Sequence, residues 1–118
     1  MANILICDDA AFMRNSLRIM LEKGGHTVIG EAANGLEAVE QFKNMKPDLV
    51  TMDITMPEVD GLTALKMIRQ LDPNAKVIMV SAMGQESMVK EAVLSGAKTF
   101  IVKPFKEAYI LEVIAKTV

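Results

Sequence analysis

The sequence predicts an α/β fold, doubly wound around a five-stranded parallel sheet with helices on both faces, and two patterns carry that prediction. Short runs rich in Ile, Val and Leu recur five times along the 118 residues. Longer segments lie between them, with apolar residues at helical spacing. Strands that alternate with helices are joined by crossovers, which are right-handed and make neighbouring strands parallel.

The elements follow in order. A first strand over Ile4 to Cys7 precedes a helix whose Met13, Leu17, Met20 and Leu21 share one face. Gly24 and Gly25 end that helix, and His26 reads as a solvated turn residue with no second imidazole or thiol to share a metal. The second strand is Thr27 to Ala32, and Ala38, Val39 and Phe42 mark the helix after it. Pro47 punctuates the approach to a third strand, Asp48 to Met52, which precedes a helix with Leu65, Ile68 and Leu71 inward. Pro73 separates that helix from a fourth strand, Lys76 to Val80. In the fourth helix Met88 and Ala92 form a buried row, and Val89 and Val93 form a second apolar row beside it, most simply read as a broad core stripe. Gly96 leads to the fifth strand, Thr99 to Val102, and Ile110, Val113 and Ile114 mark the last helix. The five units share a rhythm but no repeated motif, so the chain is expected to be one domain over residues 1 to 118 rather than a solenoid.

Composition excludes several function classes. A formal net charge of -2 with scattered Lys and Arg is a poor footprint for nucleic acid, so no direct nucleic-acid partner is expected. No apolar run approaches the roughly 18 to 20 residues of a membrane span, and the start MANILICDD has no basic region followed by a long apolar stretch. A cytoplasmic protein without a membrane partner is the expectation. The single cysteine, Cys7, sits in an apolar run and reads as a small core residue.

In a sheet of this kind the functional crevice lies beyond the carboxyl ends of the strands, so the residue after each apolar run decides the chemistry. The first strand runs into Asp8 and Asp9, the third into Asp53, the fourth into Ser81 and the fifth into Lys103. Only the second, ending in Glu31-Ala32-Ala33-Asn34, offers no candidate. Each residue has a plain explanation alone, such as Asp9 capping the next helix. Together, three carboxylates repel one another unless a cation neutralises them. Oxygen ligands with no His nearby, and with Cys7 read as a core residue, point to Mg²⁺, for which Mn²⁺ could substitute. Magnesium keeps open positions for water and phosphate, a carboxylate beside it can attack phosphorus to form an acyl phosphate, and a lysine and a hydroxyl can carry charge on the transferred oxygens.

Asp8-Asp9 after the first strand, "MDITMPEVDG" around Asp53, "SAMG" at Ser81 and "KPF" at Lys103 together resemble the receiver domain of two-component response regulators over the whole length, and within that family the stand-alone chemotaxis regulators. The resemblance implies a flavodoxin-like (βα)5 fold with strand order 2-1-3-4-5. It implies that Asp53 accepts phosphoryl from the phosphohistidine of a histidine kinase, in a phosphorelay. Asp9 and Asp53 would bind Mg²⁺ directly, Asp8 largely through water, and Thr55 through its main-chain carbonyl. Ser81 would bond a phosphoryl oxygen, and Lys103 would pair with Asp53 at rest and with the phosphoryl group afterwards. Pro57 and Gly61 would shape the loop after Asp53, and a cis bond before Pro104 would turn Lys103 into the site. Thr55 and Met83 occupy positions that tune how long the phosphoryl group persists.

The switch would run through Ser81 and Phe100, the latter standing where chemotaxis regulators often carry Tyr, so it has no hydroxyl to offer. The readout would be the surface of the fourth helix, fifth strand and fifth helix, read by an output protein such as a flagellar motor switch component. Further partners would be a chemotaxis-type kinase and a phosphatase. The chain would not be an enzyme in the ordinary sense, although it would catalyse its own phosphorylation and dephosphorylation. A receiver fused to a DNA-binding or enzymatic output domain is the alternative within the family. A haloacid-dehalogenase-type phosphatase shares the Asp nucleophile, Mg²⁺, hydroxyl and Lys, but wants an acid where Thr55 stands. A flavodoxin-like cofactor carrier has no use for three carboxylates and a lysine, and no glycine-rich loop follows the first strand.

Overall fold

A computed structural model describes residues 1–82 and 84–118. Its elements alternate as expected: β1 (Asn3–Cys7), α1 (Ala11–Lys23), β2 (Thr27–Ala32), α2 (Gly35–Met45), β3 (Leu49–Met52), α3 (Gly61–Leu71), β4 (Val77–Ser81), α4 (Glu86–Leu94), β5 (Thr99–Val102) and α5 (Glu107–Thr117). The strands form one sheet in the order β2-β1-β3-β4-β5, and every pair is parallel. This is the expected strand order.

A parallel sheet covered on both faces must be apolar on both, and the period of two along β1 shows how the sequence meets that demand. Leu5 and Cys7 point into a core shared with Ala38, Val39 and Phe42 of α2, Leu65 and Ile68 of α3, and Ala92 of α4. Ile4 and Ile6 point the other way, against Leu17 and Leu21 of α1 and Ile110 and Ile114 of α5. Burying a Leu or Ile side chain contributes about 2 kcal/mol, so these two layers hold the sheet flat against its helices and present all the strand ends at one edge.

Helix starts carry local signals. Asn34 caps α2 by accepting from the N–H of Glu37 at 2.8 Å, and Glu37 Oε1 reaches back to the N–H of Ala33 at 2.9 Å. Asp60 caps α3 through the N–H of Thr63 at 2.8 Å. Asp9 does not cap α1: the cap position is Ala10, with no side-chain bond, and Asp9 is left free for the crevice.

Several boundaries differ from the sequence pattern. Asp48 stays outside β3, because its carboxylate accepts from the N–H of Asn3 at 2.8 Å. Ser81 is the last residue of β4 rather than the first after it, in register with Val102 of β5. Leu71, expected inside, is 49% exposed at the last position of α3, and Val93 is 54% exposed, so the second apolar row of α4 is not a core stripe. His26 is half-buried rather than solvated, and its Nδ1 accepts from the N–H of Ala2 at 3.2 Å.

Candidate functional site

The main chain aligns the strand ends through a few bonds beyond the sheet. Asp8 donates its N–H to the carbonyl of Ala32 and Asp53 to that of Cys7, both at 2.9 Å, while Lys103 donates to that of Ser81 at 2.9 Å. The register therefore extends one residue past β1, β3 and β5, which brings their polar residues to one level.

Three carboxylates meet there. Asp8, Asp9 and Asp53 each offer an oxygen, and the three oxygens lie within 4.8 Å of one another. Asp8 and Asp53 are buried and Asp9 is exposed, so the cluster opens to solvent on one side. Asp8 is anchored twice, its Oδ1 accepting from the N–H of Ala10 at 2.9 Å and its Oδ2 from Lys103 Nζ at 2.6 Å. Lys103 also reaches Asp53 Oδ2, at 3.4 Å. The resemblance implies Asp53 as the resting partner, but the ammonium sits closer to Asp8, whose 2% exposure leaves it most in need of a counter-charge. The bond between Lys103 and Pro104 is cis.

One ammonium against three carboxylates leaves an uncompensated charge of two, and all the donors are hard oxygens. That donor set fits a hard divalent cation better than a soft one. The thiol of Cys7, buried just below, is pushed far up by desolvation and by the Asp8 charge, so it stays protonated and offers no ligand.

The remaining residues fall around the cluster. Ser81 is buried at the end of β4, and Thr55 and Pro57 are exposed in the loop after Asp53. Gly61 donates its N–H to the carbonyl of Ile54 at 2.7 Å, and a Cβ there would collide with the carbonyl of Asp53. Glycine at 61 thus lets α3 start hard against the acidic strand end. Phe100 is half-buried against the core under α2, α3 and α4. Met83 lies outside the described residues. Sequence reasoning missed Arg14 and Glu31, which pair at 3.0 Å beside Asp8. The signal was present, since a charged residue near the end of an otherwise apolar strand needs a partner.

Comparison with known proteins agrees with this geometry. The family described as response regulator receiver domain matches residues 4–115. The chain is 60% identical over 114 residues to chemotaxis protein CheY of Bacillus subtilis, covering 97% of this chain and 95% of that one. It is 58% identical over 113 residues to chemotaxis protein CheY of Thermotoga maritima, covering 96% and 94%. A solved structure of the CheX-CheY-BeF3-Mg²⁺ complex from Borrelia burgdorferi contains a chain that superposes with a TM-score of 0.94 at 46% identity, over 98% of this chain and 89% of that one.

Proposed function

The chain belongs to the response regulator receiver domain family, and from that premise we propose that it is a phosphorylation-activated switch whose Asp53 accepts phosphoryl from a histidine kinase. The observation that carries the proposal is the meeting of Asp8, Asp9, Asp53 and Lys103 at one sheet edge, three carboxylate oxygens within 4.8 Å and an ammonium between two of them.

Asp53 is the nucleophile because it lies centrally, at the end of β3, with Lys103 on one oxygen. That oxygen pairing orients the carboxylate and leaves its second oxygen to attack phosphorus as the phosphorus–nitrogen bond of the phosphohistidine breaks. The electron pair of that bond returns to the imidazole, and the phosphoryl group stays on Asp53. Asp9 and Asp53, with Asp8 through water and the Thr55 carbonyl, would hold Mg²⁺, which would neutralise charge on the transferred oxygens. Lys103 and the Ser81 hydroxyl take further shares of that charge. Lys103 must turn from Asp8 towards the phosphoryl group, a short move within its present reach of 2.6 and 3.4 Å.

The phosphoryl group adds close to two negative charges and three acceptor oxygens. Ser81 moves towards it, and half-buried Phe100 swings into the space behind, biasing two states that exist beforehand. The output face is α4, β5 and α5, which expose Val93, Leu94, Val102 and Tyr109, large apolar side chains with no core role. Similarity to chemotaxis proteins CheY supports a chemotaxis-type kinase as donor, a flagellar motor switch component as output partner and a phosphatase as the terminating partner, all in the cytoplasm. The protein turns over its own phosphoryl group rather than acting as an enzyme on other substrates.

Acetyl phosphate with Mg²⁺ should label the protein stoichiometrically, and Asp53→Asn should abolish the label. Beryllofluoride with Mg²⁺ should then let the immobilised protein retain a motor switch component. Phosphorylation-dependent dimerisation without motor binding would point instead to a different output.

A further inference from the structure

The end of β2 contributes nothing to the acidic cluster, yet a charged network ties it to Asp8. Glu31, half-buried beside the end of the strand, accepts from Arg14 Nε at 3.0 Å and holds Arg18 at 2.8 Å with its second oxygen. The Arg14 side chain is only 19% exposed, and its Nη1 donates to the main-chain carbonyl of Asp8 at 2.7 Å. A guanidinium is a planar fork, so the orientation that Glu31 imposes on one edge fixes where the other arm points. The carbonyl it grips belongs to the peptide unit joining Asp8 to Asp9, and the plane of that unit sets the direction in which the Asp9 side chain leaves the backbone. Asp8 has other anchors, at Ala32, Ala10 and Lys103. Asp9 is exposed, and its carboxylate makes no ion pair or hydrogen bond of its own among the described residues. With Ala10 tied to Asp8 Oδ1 on its far side, the orientation of the Asp8–Asp9 peptide plane bears directly on how Asp9 comes within 4.8 Å of the other two carboxylates.

We infer that Arg14, oriented by Glu31, is a positioning residue that holds the Asp8–Asp9 peptide so that Asp9 converges with Asp8 and Asp53. The inference rests on reading the three carboxylates as a divalent-cation site. It differs in sign from a purely electrostatic role. A guanidinium beside the cluster repels a cation, so its charge alone would make removal of Arg14 tighten binding. Loss of a positioning contact behind metal ligands loosens binding, typically by tenfold or more.

Mn²⁺ binding, followed by the paramagnetic resonance signal of the free ion with no phosphodonor present, separates the two. Arg14→Met should weaken Mn²⁺ binding by roughly tenfold, Arg14→Lys by a similar factor because an ammonium cannot span Glu31 and the carbonyl, and Glu31→Gln by a few-fold. Binding unchanged or tighter in Arg14→Met overturns the inference. So does a lower Tm with unchanged Mn²⁺ affinity, which would make the network a brace for the fold alone. If Arg14→Met does not fold, Arg14→Lys decides, because it keeps the positive charge and removes only the planar fork. A wild-type protein that binds no Mn²⁺ removes the cation-site reading itself, an outcome distinct from wild type and variants binding equally well.

Discussion

Replacing the exposed member of the cluster, Asp9→Asn, should change stability with opposite sign in the absence and presence of a divalent cation. An oxygen of Asp9 lies within 4.8 Å of oxygens on Asp8 and Asp53. Two like charges at that separation repel by about 1 kcal/mol in a water-like dielectric, the value suited to an exposed group. Asp8 is the neighbour of Asp9 in sequence, so their repulsion persists in the unfolded chain and largely cancels. Asp53 approaches only on folding, and that pair remains. In EDTA the variant should therefore be the more stable by about 1 kcal/mol, a rise in Tm of about 4 °C. Mg²⁺ at about ten times its Kd stabilises the native wild type by about 1.4 kcal/mol, and a variant short of one ligand forfeits most of that gain. Thermal unfolding of both proteins across a Mg²⁺ titration should show the two curves crossing. A variant less stable than wild type in EDTA, or one that gains equally from Mg²⁺, would refute the reasoning.

Other residues give independent tests. Thr51 is 1% exposed and its hydroxyl has no hydrogen-bond partner among the described residues, so Thr51→Val should stabilise by about 1 kcal/mol, seen as a higher urea midpoint with unchanged slope. Asn34→Ala removes the cap on α2 and should cost about 1 kcal/mol by the same measurement. Desolvation, with the N-terminal amine as a lesser cause, lowers the pKa of His26 below its ordinary 6.5. Its unfolded form thus binds the proton more readily, and stability should fall as pH drops through 6.5 and towards the lower folded value. In His26→Gln that part of the pH dependence should vanish.

The parallel topology and the placing of the acidic cluster were legible because each rests on a repeated local pattern. Four of the five apolar runs ended at Asp8, Asp53, Ser81 and Lys103 with an abruptness that packing alone does not require, and a parallel register carries those residues to one edge. The nearer partner of Lys103 was not legible. A lysine at the end of β5 can reach either β1 or β3, and relative burial, 2% for Asp8 against 7% for Asp53, is a property of the assembled sheet. The exposure of Val93 was misread for a similar reason. Helical periodicity reports that two apolar rows exist, but which of them meets the sheet depends on how α4 is rotated against β5. His26 looked solvated because nothing in a Gly-Gly-His turn announces that the N–H of Ala2 will lie 3.2 Å away. Arg14 and Glu31 could have been paired in advance, since the rule that singled out Lys103 applies equally to a glutamate near the end of an apolar strand.

The central claim, that Asp53 is the phosphoryl acceptor of a cation-dependent site, is tested most directly by peptide-level mass spectrometry after transfer from a phosphorylated histidine kinase. A single phosphoryl group on the peptide containing Asp53, present with Mg²⁺ and absent with EDTA, is the predicted result. A label on another residue, or one that forms equally well in EDTA, would contradict the account.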